Sequence, residues 1–411
     1  MSKLQEDRRI DPRIKAAMAA FPTMTQSDVR SRDDLLAEVN QPEAIAQREQ
    51  MTKVFDLMDN EQIAPSKGLS VATHEFRSSP DGNTIKVQLI RPEAREALPC
   101  VYYIHGGGMQ MMSCFDGMYR AWGKIIAANG VAVAMVDFRN STRPSSSPDG
   151  NTIQVQLIRP EAREPLPCVY YIHGGGMQAM SCFDGMYRAW GRIIAAQGVA
   201  VAMVDFRNAL TPSSAPEVAP FPAGLNDCVS GVKWLHANAA RLGVDPGHIV
   251  VAGESGGGNL TLATGLKLKQ DGALGLIRGL YALCPYIAGQ WPQDRLPSSV
   301  ENNGILLDLH NNRGAMAYGI EELQRKNPLA WPGFASEQDV KGLVPTVISV
   351  NECDPLRDEG IEFYRLLLRA GVAARCRQVM GTVHGAELLA IACSDISRET
   401  AASIAQFARE S

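Results

Sequence analysis

The chain has 411 residues, with 40 basic and 44 acidic side chains and a formal charge of −4. That balance lacks the basic excess of a nucleic-acid binder, and no run of about 18 apolar residues offers a membrane span. With 45% hydrophobic and 20% charged residues the composition is that of an ordinary globular protein. Nine cysteines without Cys-x-x-Cys pairing point to reduced thiols. The first fifty residues carry eight Lys/Arg and nine Asp/Glu, unlike the acid-poor start of a targeting peptide. A cytoplasmic protein is expected.

Residues 1–68 read as charged helices with apolar side chains at helical spacing, such as Val54, Leu57 and Met58. They are expected to form an N-terminal cap. A hairpin follows, with strands at Val71–Phe76 and Thr84–Arg91 around a Pro-Asp-Gly turn. Segment 78–145 then recurs as 146–213, an offset of 146 − 78 = 68 residues. Eight differences, among them Lys86/Gln154, Met111/Ala179 and Arg143/Thr211, leave 60 of the 68 positions identical. Two units of this length do not make a solenoid, and the pattern reads as a tandem duplication inside one domain. Removing one copy leaves 411 − 68 = 343 residues.

Beyond the hairpin, short apolar runs alternate with amphipathic stretches. The runs are Val101–Ile104, Val131–Val136, Ile249–Ala252, Leu280–Leu283 and Val344–Val350. Leu225, Val229, Val232, Leu235 and Ala239 share one face of a helix starting after Pro222. This alternation predicts an α/β core over 69–411, a mostly parallel sheet with helices on both faces. Residues 288–342, rich in Pro, Asn and Trp, break the rhythm and are expected to add to the cap.

The chemistry gathers at strand ends. Gly253-Glu254-Ser255-Gly256-Gly257 joins a strand to a helix at Leu260–Lys269, the setting of a nucleophile elbow that exposes a serine hydroxyl. Phosphate-binding loops also follow strands, but they end in Gly-Lys-Ser/Thr, and Gly258-Asn259-Leu260 has no lysine. His105-Gly106-Gly107-Gly108 and its twin His173-Gly174-Gly175-Gly176 each end a strand; consecutive glycines can aim backbone N–H groups at a substrate oxyanion. The histidine of this motif is read as structural. Asp354 lies just past the strand ending at Val350, and His384 follows a short strand at Arg375–Val379. Three groups beyond three different strands suit a Ser-His-Asp proton relay. His74, His236, His248 and His310 sit in no comparable loop. Ligand spacings for a metal are absent, so no metal or cofactor is expected.

In this order, His-Gly-Gly-Gly, Gly253-Glu254-Ser255-Gly256-Gly257, Asp354-Pro355-Leu356-Arg357-Asp358-Glu359 and the His384 loop resemble the hormone-sensitive-lipase family of bacterial esterases, within the α/β-hydrolase superfamily. The resemblance covers essentially the whole chain once one repeat is removed. It implies an α/β-hydrolase fold with a helical cap, Ser255 as nucleophile, His384 as general acid and base, and Asp354 as its orienter. It also implies oxyanion donors from the second and third glycines of the triplet and from Gly256. This chain departs from many relatives in having Glu254-Ser255-Gly256 for Asp-Ser-Ala, and Met109 or Met177 where an aromatic residue often follows the glycines.

Both repeats carry every glycine, and one sheet has room for one of them. The second copy leads directly into the helix before Ser255, which favours Gly175 and Gly176 as hole donors over Gly107 and Gly108. The expected protein is a serine carboxylesterase acting on small esters with short acyl chains. The alternative is a ligand-binding protein on the same fold. The surplus copy, apolar enough to need cover, is expected to pack against a partner in a homodimer, with exchange of the repeated segment as one arrangement.

Overall fold

The structure, a computed structural model, describes residues 2–19, 26–57, 60–62, 69–77, 84–92, 100–105, 114–115, 117–128, 132–138, 152–159, 165–213 and 217–411. Four helices come first: α1 (Lys3–Glu6), α2 (Pro12–Met18), α3 (Arg32–Val39) and α4 (Pro42–Asp56). Asp11 caps α2 by accepting from the Arg13 amide, with Pro12 in the first turn, and Ser31 caps α3 through the Asp34 amide. Their apolar faces are spent on the rest of the chain. Leu4, Ile10 and Ile14 bury with Ile305, Val383 and Ala386, and Leu35 and Val39 bury with Leu210 and Ala317.

The hairpin is β1 (Leu69–Arg77) and β2 (Thr84–Pro92), and the first copy continues with β3 (Cys100–His105), α5 (Gly117–Ala127) and β4 (Ala132–Phe138). The second copy repeats this as β5 (Thr152–Arg159), β6 (Leu166–His173), α6 (Gly185–Ala195), β7 (Ala200–Met203) and β8 (Asp205–Phe206). Then follow α7 (Ala223–Ala237), α8 (Ala239–Leu242), β9 (Val244–Glu254), α9 (Gly256–Gln270) and β10 (Gly279–Leu283). The strands β9, β10, β11 (Thr346–Asn351) and β12 (Ala374–Val379) run parallel side by side. As the sequence predicts, the inner ones are apolar and buried on both faces; β12 is the half-exposed edge.

The two copies take the same places in this sheet. Val71 of β1 pairs with Ile90 and with Ile158, which are equivalent residues. Gly253 of β9 pairs with Ile104 and with Ile172, again equivalent. The rings of Tyr103 and Tyr171, Tyr119 and Tyr187, and Trp122 and Trp190 fall on common positions. Two indoles cannot share one volume, so the slot between β1 and β9 admits one copy at a time. Either route gives the same circuit: β1-β5-β7-β6-β9-β10-β11-β12 with the second copy, or β1-β2-β4-β3-β9-β10-β11-β12 with the first. Cys114 and Cys182 are equivalent too. Their Cα atoms lie closer than the roughly 4.4 Å that any disulfide needs, so they mark a shared position and no crosslink.

The insertion after β10 contains α10 (Ser298–Glu301), α11 (Arg313–Tyr318), α12 (Ile320–Gln324) and α13 (Glu337–Val340). It is ordered by aromatic packing, with Tyr286 stacked on Trp291 at 4.6 Å and Trp331 edge-on to Tyr286 and Tyr318. It is fastened to α14 (Arg357–Arg369), which opens with the charged run after Asp354. Asp358 accepts from the Ser298 amide at 2.6 Å. Glu359 accepts from the Ile287 and Ala288 amides and from the Trp291 indole at 2.6, 3.1 and 2.6 Å. The chain closes with α15 (Ser394–Glu410), whose Phe407 packs on Tyr281.

Deleting residues 78–145 joins Arg77 to Ser146, restoring the native Arg-Ser-Ser-Pro junction. The shortened chain is expected to melt cooperatively and to keep the activity of the full chain, as circular dichroism and turnover assays would show; loss of either would mean that both copies are needed. A second expectation concerns Glu359, which burial raises from 4.5 to about 8 against the pull of its hydrogen-bond donors. The folded chain then keeps a proton that the unfolded chain releases. Its contribution to stability is full below pH 4.5 and is lost as the pH climbs to about 8. Thermal melts across that window should fall more steeply for the native protein than for Glu359→Gln.

Candidate active site

The turn after β9 holds a residue with a side chain at positive φ. Ser255 has φ 56° and ψ −120°, between the end of β9 and the first turn of α9. For a side-chain-bearing residue this costs on the order of 1–3 kcal/mol. Hydrogen bonds hold it there. The Ser255 amide donates to Leu283 O at 2.9 Å, and its carbonyl accepts from the Tyr286 and Asn259 amides, both at 3.0 Å. The neighbouring glycine is required by space: a Cβ on Gly253 would stand 2.5 Å from Gly257 O and 2.6 Å from Ile172 O. The serine therefore projects from the carboxyl edge of the sheet, at the amino end of a 15-residue helix.

Asp354 and His384 meet as the sequence predicts. Asp354, fully buried in the loop after β11, accepts from His384 Nδ1 at 2.8 Å. Its other oxygen accepts from the Leu356 amide at 2.9 Å. This fixes the carboxylate and leaves the Nε2 lone pair as the basic site of the imidazole. The loop after β12 that carries His384 is sewn to the Asp354 loop by three bonds that sequence reasoning missed. Gly381 N donates to Glu352, Cys353 N to Thr382 O, and the Thr382 hydroxyl to Asn351 Oδ1 at 2.6 Å. The pair lies at the same sheet edge as Ser255, because β9, β10 and β11 are consecutive neighbours. Cys284 bridges the distance: Leu283 before it binds the Ser255 amide, and its thiol lies within 4.8 Å of the Asp354 and His384 donor atoms.

The glycine triplet of the second copy faces the elbow. Gly175 and Gly176 have φ 107° and 56°, conformations open to glycine. A Cβ on Gly256 would meet Gly176 Cα, Gly176 N and Met177 N at 2.6 Å, so the loop's amides lie against the residue after the serine. Met177 itself is 1% exposed. Gly107 and Gly108 lie outside the described residues. The second copy is tied in on both sides. Arg207 grips Asp227 of α7 through bonds of 2.7–3.0 Å, and Ala209 N donates to Met177 O at 2.8 Å. His173 stacks on Phe206 at 4.3 Å and its Nδ1 meets Gly174 O at 2.9 Å. Burial holds its imidazole neutral by lowering its pKa well below the usual value. These contacts suit a residue that shapes the loop.

Glu254 is the partner whose side chain the sequence left without a role. Buried beneath the elbow, its carboxyl accepts from Tyr171 at 2.7 Å, Tyr187 at 2.6 Å and the Gly174 amide at 2.9 Å. Both tyrosines belong to the second copy. The equivalent Tyr103 hydroxyl has no hydrogen-bond partner among the described residues.

Among the described residues, two groups of donor atoms gather closely enough to suggest a metal. In Cys284–Asp354–His384 the carboxylate and imidazole are already joined by a proton, and burial pushes the thiol pKa well up. In Cys114–Cys182–Asp205 the two cysteines are equivalent residues of the two copies and cannot occupy that position together. Neither offers a vacant ligand set.

Residues 169–388, more than half of the chain, match a family described by its α/β-hydrolase fold. The chain is 33% identical over 278 residues to the carboxylesterase NlhH of Mycobacterium tuberculosis strain H37Rv, covering 63% of this chain and 83% of that one. The structure of the esterase Est22 with p-nitrophenol aligns over 99% of each chain at 55% identity and a TM-score of 0.80. Brefeldin A esterase, a bacterial homologue of human hormone-sensitive lipase, aligns over 99% of this chain and 96% of its own, at 30% identity and a TM-score of 0.70. With its sheet order, elbow and loops in this arrangement, the chain belongs to the α/β-hydrolase family, on the side of its hormone-sensitive-lipase-like esterases.

Proposed function

We infer that the protein is a serine carboxylesterase, with Ser255, His384 and Asp354 as its catalytic residues. The observation that carries this reading is the strained Ser255 elbow standing at the sheet edge where His384 donates to Asp354 at 2.8 Å. His384 Nε2 takes the Ser255 proton as the hydroxyl oxygen attacks the ester carbonyl. The carbonyl oxygen becomes an oxyanion held by the amides of Gly175, Gly176 and Gly256. The alcohol leaves with the proton from His384, and water repeats the sequence on the acyl-enzyme to release the acid. No cofactor or metal takes part in these steps.

The substrates we propose are small esters with short acyl chains, since Ser255 is only 8% exposed under its surroundings. The helices of residues 1–68 and the insertion at 288–342 form the cap over a 69–411 core. No helix among the described residues is long and apolar enough to cross a membrane. We place the enzyme in the cytoplasm on its cysteine usage, nine cysteines without Cys-x-x-Cys pairing. The repeat is a tandem duplication of which the second copy works. The displaced copy of each chain packs on a partner chain in a homodimer, possible by segment exchange.

Ser255→Ala should abolish hydrolysis of p-nitrophenyl acetate and butyrate without lowering the melting temperature; residual turnover near the native rate would sink the assignment. These probes release p-nitrophenol, the molecule held in the Est22 structure. Gly175→Pro removes a hole donor and also cannot hold the φ of 107° at this position, so it should cost at least roughly 10²–10³ in turnover, whereas Gly107→Pro should leave the rate unchanged. The reverse result would assign the hole to the first copy. Light scattering should report a dimer, and a stable monomer with one copy disordered would refute the packing of the spare unit.

A further inference from the structure

The residue before the nucleophile is a glutamate whose carboxyl touches three groups of the facing repeat. It is 3% exposed, and no step of ester hydrolysis uses it. One oxygen, Oε1, accepts both from the Gly174 amide at 2.9 Å and from Tyr187 at 2.6 Å, and Oε2 accepts from Tyr171 at 2.7 Å. Gly174 is the first residue of the glycine triplet, and Tyr171 and Tyr187 flank that loop on β6 and α6. The same peptide unit therefore ties the nucleophile's position to the loop that presses on Gly256.

We propose that Glu254 is a positioning residue that anchors the oxyanion loop to the nucleophile elbow through the Gly174 amide and the two tyrosine hydroxyls. The proposal rests on the oxyanion reading of Gly175 and Gly176. A glycine triplet has no side chains with which to hold its own shape, so its amides need an external acceptor to stay aimed. Burial also raises the Glu254 pKa well above the ordinary range. A neutral side chain with the same outline should therefore serve. The amide oxygen of a glutamine can accept both Oε1 bonds, and its NH2 can donate to the Tyr171 oxygen.

The test compares Glu254→Gln, Glu254→Leu and Glu254→Asp with the native enzyme, using two inhibitors of matched size. A short-chain trifluoromethyl ketone adds to Ser255: the hydroxyl oxygen bonds to the carbonyl carbon, the proton passes to His384, and the former carbonyl oxygen becomes an oxyanion in the hole. The corresponding trifluoromethyl carbinol, which has no carbonyl, binds the pocket without forming one. Glu254→Leu and Glu254→Asp should lose about tenfold or more in kcat/KM and a parallel factor in ketone affinity, with carbinol affinity unchanged. Glu254→Gln should stay near the native values. If Glu254→Leu does not fold, the contrast between Gln and Asp decides. Native ketone affinity in the folded Leu or Asp variant, or an equal loss of ketone and carbinol, would overturn the proposal. Gly176→Pro is run beside them. If it keeps ketone affinity, the oxyanion reading itself fails; if it loses affinity while the Glu254 variants do not, only the anchor fails.

Discussion

The turn at Ser255 concentrates the constraints on this molecule. A residue with a side chain is held at positive φ because its amide and carbonyl are bonded to Leu283, Tyr286 and Asn259, on both sides of the strand-to-helix junction. Those bonds exist only if β9, β10 and the segment after β10 are in register. The parallel ladder Leu283↔Glu254 sets that register. Once it is set, the neighbouring strand ends deliver everything else: the glycine loop on one side through Ile172 opposite Gly253, and Asp354 with His384 on the other through β11 and β12. The strain is local, and the buried sheet around it supplies the opposing stability.

The charged run after Asp354 shows how one short segment serves both chemistry and architecture. Asp354 itself orients the imidazole. Asp358 and Glu359, four and five residues on, hold the start of the insertion through backbone amides and the Trp291 indole. Asn302, in that insertion, returns a bond to Asp354 O at 3.0 Å. The carboxylate that binds His384 and the insertion after β10 are therefore parts of one hydrogen-bonded unit. Arg357 extends it by donating to Glu352 O and pairing with Glu301.

The repeat sets a second constraint, one of volume. Sixty of 68 identical positions mean that both copies satisfy the same neighbours in the same register, and coincident tryptophans mean that they cannot do so together. Chain connectivity favours the second copy, and the bonds from Tyr171 and Tyr187 to Glu254 point the same way. The second copy runs through Arg207 and its bonds to Asp227 straight into α7 and the elbow strand. A long excursion before it is tolerable because loop-closure entropy grows only slowly, about 0.6 kcal/mol per doubling of length.

The sequence by itself determined the class of fold, the strands near Val250, Leu280 and Val347, and the elbow, the aspartate and the histidine loop. These are legible because apolar runs, glycine spacing and residue order are local properties that survive without knowledge of partners. Only the tertiary structure decided that Glu254 faces two tyrosines and Gly174, that Asn351 and Thr382 stitch the acid loop to the histidine loop, and that both repeats address one slot. Each of these joins residues far apart in the chain: a carboxylate or amide looks the same in a sequence whether it faces water or a buried donor. What differs is which strand lies beside it, and strand order is a property of the assembled sheet.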